Sequence, residues 1–177
     1  MLAKTNGRVR ELRYQPQQAA PIISLPLSSS EGNMAYERGL LHTLIRAARA
    51  VLPGCHVLVE HSILSGLYCE IEAREPLTPF DVDRIGRKMR EIVDEDNPFL
   101  RRIMDKEEAI RLYESSGQFE KSRLLAFRED HQFKVYEAGG YSDYFYGYMP
   151  PSTGYLQRFR LVYEMPGLVL LLPRTYK

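Results

Sequence analysis

Two alternating runs lie almost back to back in this chain, residues 55–63 (CHVLVEHSI) and 67–73 (LYCEIEA). Apolar and polar residues alternate in both, the period of a half-buried strand. Only Leu64-Ser65-Gly66 separates them, so the pattern predicts a paired hairpin. The hairpin is preceded by a segment of helical period, residues 33–52. Leu41, Leu44, Ile45, Ala48, Val51 and Leu52 form its apolar face, Asn33 is a plausible N-cap, and Pro53-Gly54 stops it. Arg38, His42, Arg46 and Arg49 recur at spacings of three and four, on a face expected to be solvated.

A second helix follows the hairpin. Thr78 caps it, Pro79 suits its first position, and Val82, Ile85, Met89 and Ile92 form its buried stripe. Residues 100–104 read as a short strand. Asp105 to Glu108 resembles a capping box that opens a helix to Ser115, and residues 118–127 form another short helix. Residues 132–136, 141–148, 155–163 and 168–172 read as strands. At the front, residues 6–14 and 20–27 suggest two strands, the second confined to an edge by Pro21 and Pro26. Strands, then helices, then strands is an α+β order, with an antiparallel sheet on which helices pack.

The 177 residues are 44% hydrophobic, enough for a real core. Lys and Arg total 24 against 23 Asp and Glu, a net charge of +1. No global field therefore favours nucleic acid or an anionic membrane. The longest apolar run, residues 167–173 (GLVLLLP), is far short of the roughly 20 residues a membrane-spanning helix needs and reads as a buried strand. Cys55 and Cys69 lack ligand-like spacing, and two reduced thiols in a cytoplasmic protein are expected.

The sequence excludes several chemistries. A phosphate-binding P-loop needs Gly-Lys followed by Ser or Thr, and no Gly-Lys occurs; GxGxxG and GxSxG are absent too. His56 and His61 lie five apart on one strand, which points them to opposite faces of a regular strand. They are not expected to share an ion, and no metal site is expected. Adjacent Cys55 and His56 face opposite ways as well, which rules out a Cys–His nucleophile. The densest feature is YSDYFYGYMPPSTGY, residues 141–155. Its tyrosines suit a half-exposed strand surface, or they line a ligand pocket or stack on bases.

An ordered set of motifs resembles a known family. RGLLHTLIRAARAVLP at residues 38–53, Ser65-Gly66-Leu67-Tyr68 with Glu70, LTPFDV at 77–82 and DYFYGYMPPSTG at 143–154 are similar to the second additional domain of threonyl-tRNA synthetases. The resemblance covers roughly Tyr36 to Tyr163 and implies that domain's α+β fold for residues 32–177. Residues 1–31 are then a partial region similar to the closing strands of a TGS domain, with a linker. In the family this module hydrolyses serine wrongly attached to threonine tRNA, using two helix histidines four apart and a Cys-x-x-x-His. The match puts His42 on the second helix histidine, Arg38 on the first, Phe145 on the cysteine and Met149 on the last histidine. Three of four positions thus depart from the pattern. No catalytic residue is expected here, and an aminoacyl-tRNA editing hydrolase is the least favoured reading. A vestigial pocket is expected from Arg38, His42, Asp143, Phe145, Tyr146 and Met149.

The same degenerate pattern resembles the N-terminal module of bacterial nucleoside kinases of the uridine-kinase type. That resemblance implies a non-catalytic module within a fragment whose partner is a C-terminal P-loop kinase domain, with ATP and Mg bound only there. The alternative is an RNA-binding or small-molecule-binding regulatory module.

Overall fold

The computed structural model describes residues 1–63 and 66–173. Leu64-Ser65, expected to link the hairpin, lies outside the described residues. Helix α1 spans Ser30–Val51. Its N-cap is Ser29, whose hydroxyl accepts from Gly32 N at 3.1 Å, so the helix begins a turn before Asn33. The buried face is also rotated from the expected one. Tyr36, Gly39, Leu40, Thr43, Leu44 and Ala47 are buried, whereas Leu41, Ile45 and Val51 are only half-buried. Small residues let neighbouring backbone approach closely and so mark the packed side as strongly as leucines do. At Gly39 an added Cβ would sit 2.8 Å from Pro150 Cγ and 3.1 Å from Leu156.

Helix α2, Pro79–Asp94, matches its sequence reading closely. Thr78 and Asp81 close a reciprocal capping box, and Val82, Ile85, Met89 and Ile92 are all buried. The hydrogen bonds from Thr78 hold the Asp81 carboxyl below its usual range. Strands β4 (His56–Ile63), β5 (Gly66–Glu72), β9 (Arg160–Glu164) and β10 (Gly167–Leu171) form an antiparallel sheet ordered β4-β5-β10-β9. Leu67 pairs with Leu170 and Cys69 with Leu168, which puts all four on one buried face. α1 lies against α2 and β4, and α2 against β9.

The front of the chain holds three strands rather than two. β1 (Leu2–Thr5) pairs with both β2 (Arg8–Arg10) and β3 (Ile22–Leu25) in an antiparallel sheet ordered β2-β1-β3. Leu2 and Leu25 pack with Ala35 of α1. These elements belong to one compact unit, Met1–Pro98 together with the described residues from Gly147 onward.

The second unit, Phe99–Tyr146, has its own core. β6 (Leu100–Asp105), β7 (Gln132–Ala138) and β8 (Tyr141–Tyr144) form an antiparallel sheet ordered β6-β7-β8. α3 (Lys106–Ser115) and α4 (Phe119–Phe127) accompany it, and Met104, Ala109, Tyr113, Leu125, Phe133 and Val135 form the core. Asp105 is the N-cap of α3 but makes no side-chain cap bond, so the expected capping box does not form. The strands near 55–73 and 131–163 therefore divide between two sheets instead of joining one.

Both cysteines are buried and free, Cys55 at 1% and Cys69 at 0% exposure. Burial pushes the Cys69 thiol up to about 12 and raises Cys55 as well. Neither is expected to react with a disulfide reagent in the folded protein at mildly alkaline pH, and both are expected to react once denaturant is added. Rapid labelling of the native protein contradicts this burial.

Candidate functional site

The six residues expected to form one pocket fall in both units. Arg38, His42 and Met149 belong to the first unit, and Asp143, Phe145 and Tyr146 to the second. Each group has a clear local role.

In the first unit, Arg38 lies on α1 with its guanidinium over Gly147, where an added Cβ would meet Arg38 Cζ at 2.6 Å. Gly147 has φ +95, a conformation costly for any side chain. Arg38 Nη1 donates to the Tyr148 carbonyl at 3.2 Å. The guanidinium is therefore held by a main-chain carbonyl, with Met34 Sδ 4.0 Å away. His42 is fully buried, which corrects its placement on a solvated face. Arg46 and Arg49 of that row are half-buried, and Arg46 donates to Glu95 at 2.8 Å. Met149 is buried at 1% exposure, so the position matching a family histidine holds a core methionine.

The adjoining PSTG stretch is a clasp. Thr153 Oγ1 donates to the Ile92 carbonyl at 2.8 Å and accepts from Asn97 N at 2.9 Å. Asp96 accepts from the Ser152 hydroxyl and from Gly154 N. These bonds tie residues 152–154 to the end of α2, and they leave this stretch an architectural role.

In the second unit, Asp143 is 3% exposed and paired with Lys121 Nζ at 2.5 Å. It also accepts from the Tyr141 hydroxyl at 3.1 Å and from Tyr144 N at 2.7 Å. Phe145 continues the sheet edge, its N–H donating to the Lys134 carbonyl at 3.4 Å. Tyr146 is 62% exposed and packs edge-to-face on Tyr144, centroids 4.9 Å apart. Arg128 lies over both rings, 5.6 and 5.5 Å from their centroids, and donates to both hydroxyls. Burial, more than the neighbouring groups, raises the Tyr144 phenol. Sequence reasoning picked out the tyrosines but missed Lys121 and Arg128. Helix α4, which carries Lys121 and ends just before Arg128, has no apolar period strong enough to show which side faces the sheet.

His56 and His61 require a correction. A bulge between Val59 and His61 shifts the register, so His56 pairs with Glu72 and His61 with Tyr68. Glu72 and Tyr68 are four apart on β5, which puts the two histidines on the same face. They remain about 14 Å apart along the strands, at roughly 3.4 Å per residue, too far to share an ion. No group of three His, Cys, Asp or Glu side chains able to hold a metal occurs among the described residues. Within them, no helix is long and apolar enough to cross a membrane.

No protein-family model matches the chain. Over 163 residues it is 28% identical to the threonine–tRNA ligase of Desulforamulus reducens, covering 92% of the chain and 26% of that protein. The ligase of Symbiobacterium thermophilum is 28% identical over 92% of the chain and 25% of its own length. That of Carboxydothermus hydrogenoformans is 26% identical over 92% and 26%. The chain thus spans about a quarter of the length of the curated relatives it matches. These relatives, with the α+β fold and antiparallel sheets, support a module similar to part of a threonyl-tRNA synthetase. They overturn the expected nucleoside-kinase parent and its P-loop kinase partner, because these relatives, which match 92% of the chain, are tRNA ligases.

Proposed function

We propose that this chain is a non-hydrolytic RNA-binding module whose ligand is the acceptor end of a tRNA. The observation that carries the reading is the similarity to threonine–tRNA ligases over 92% of the chain. It is set against Arg38, Phe145 and Met149, which stand where the family resemblance places three of its four editing residues. A buried methionine and a backbone-bound arginine supply neither a general base nor a metal ligand. What persists is suited to binding. Tyr146 and Arg128 present an exposed aromatic surface backed by a cation, on which a base of single-stranded RNA can stack. The net charge of +1 makes this local chemistry, not a broad phosphate-binding face.

The test is fluorescence anisotropy with a labelled acceptor-stem minihelix ending in a single-stranded 3′ tail, at low salt. The tailed minihelix is expected to bind more tightly than a blunt hairpin of the same length. Tyr146→Ala is expected to weaken binding about tenfold, the worth of one stacked base. Serine esterified to the minihelix is expected to hydrolyse no faster than in buffer. Equal binding of both RNAs defeats the proposal. Ester hydrolysis lost in a His42→Ala variant assigns the chain to editing instead.

A further inference from the structure

The second unit contains a cavity of about 230 Å³ lined by Tyr113, Lys121, Leu124, Leu125, Arg128, Asp143 and Tyr144. All of these belong to Phe99–Tyr146. Tyr113 is 0% exposed, and its hydroxyl has no hydrogen-bond partner among the described residues. Such a group is rare in folded proteins, because a buried donor without an acceptor is destabilising. Burial, chiefly, and the charge of Asp143 raise this phenol, so it stays protonated and able to donate. Leu124, by contrast, is 67% exposed, so the cavity opens to solvent beside it. Leu124 and Leu125 with the tyrosine rings make an apolar wall suited to a flat hydrophobic body.

Charge narrows the ligand class further. Lys121 and Arg128 are the cations of the lining and Asp143 its carboxylate, a balance of 2 − 1 = +1. Lys121 and Asp143 are paired with each other. Arg128 is 42% exposed, and its ion-pair partner Asp130, at 3.7 Å, is 59% exposed. An exposed pair of that length is weak and exchanges readily for a better anion. We propose that this cavity is a binding site for a small aromatic monocarboxylate. Its ring packs on Leu124, Leu125 and Tyr144, its carboxylate faces Arg128, and an acceptor atom receives the Tyr113 O–H. The proposal shares Arg128 with the RNA reading but rests on the cavity and the Tyr113 hydroxyl, and it needs neither Tyr146 nor any residue of the first unit.

The probes are 4-hydroxybenzoate and its neutral analogue 4-hydroxybenzamide, titrated into the full chain with ¹³C-labelled leucine methyls observed by NMR. Saturable shifts of Leu124 and Leu125 by the carboxylate are expected, with the amide at least about tenfold weaker. Tyr113→Phe removes only the unpartnered hydroxyl and is expected to weaken the carboxylate several-fold while leaving the fold intact. Leu124→Trp, at the exposed mouth, is expected to abolish the shifts without touching the core. Circular dichroism of both variants checks that they fold. No saturable shift at millimolar probe overturns the site. Equal affinity for acid and amide, or for wild type and Tyr113→Phe, overturns it equally, since the cavity then holds only water or a non-specific guest.

Discussion

Gly167→Ala is expected to be among the most damaging small substitutions in this chain. Gly167 pairs with Glu70 across the β5–β10 ladder, and a Cβ built on it would lie 2.0 Å from the Cys69 carbonyl oxygen. The Cys69 carbonyl carbon and Glu70 Cα stand at 2.9 Å, so the clash is with backbone and no rotamer relieves it. The strands must separate, and Leu168 and Leu170 would withdraw from the face they share with Cys69 and Leu67. Overpacking costs about 1–3 kcal/mol where side chains can adjust, and backbone that must shift puts this case at or beyond the upper end. At about 2–4 °C per kcal/mol for a protein of this size, a fall in Tm of roughly 6 °C or more is expected by calorimetry. Gly86→Ala is the internal control. Gly86 lies inside α2, and among the described residues outside its own helix an added Cβ would meet only Leu161 Cδ1, at 3.9 Å, so alanine there should stabilise by about 0.5–1 kcal/mol. A Gly167→Ala variant as stable as the parent would show that the β5–β10 register is wrong.

Ile85→Ala is expected to have an effect of similar size for the opposite reason. Ile85 is 0% exposed in the stripe of α2, and truncation leaves a cavity that a close-packed interior fills only in part. Such truncations cost about 2–5 kcal/mol. Phe80, on the same helix, is 65% exposed, with the Arg84 guanidinium 6.0 Å from its ring centroid. Phe80→Ala should therefore change stability by less than about 0.5 kcal/mol, although it removes more carbon. Chemical denaturation of both variants checks the contrast. Equal losses would mean that α2 does not bury the face assigned to it.

The stripe of α2 was legible in the sequence because its signal is local. Thr78, Pro79 and Asp81 set the start of the helix, and four apolar residues at helical spacing name its buried side. The hairpin of β4 and β5 was legible for the same reason, since alternation and a short link leave little freedom. The fold class followed from the order of such elements. The likeness to a threonyl-tRNA synthetase module was also legible in the motifs, and comparison with whole ligases supports it. The kinase parent rested on the degeneracy of those motifs alone, and degeneracy does not say which protein a module serves.

Other features depend on neighbours remote in the chain. The buried side of α1 is set by Gly39, Thr43 and Ala47, whose small size matters only because Pro150 and Leu156 arrive against them. The shared face of His56 and His61 depends on a bulge, which alternation alone cannot show because one extra residue reverses every later side chain. Burial of His42 and Met149, and the seating of Arg38 on Gly147 and Tyr148, join α1 to a segment more than 100 residues away, as the separation of 110 between Arg38 and Tyr148 shows. Local sequence determined the helices and most of the strands, but it missed β1 and ran the strands expected over 141–148 and 155–163 beyond β8, which ends at Tyr144, and ahead of β9, which starts at Arg160. The tertiary structure alone decided which polar groups are paired and which, like the Tyr113 hydroxyl, have no partner among the described residues, because pairing depends on atoms brought together only when the chain closes.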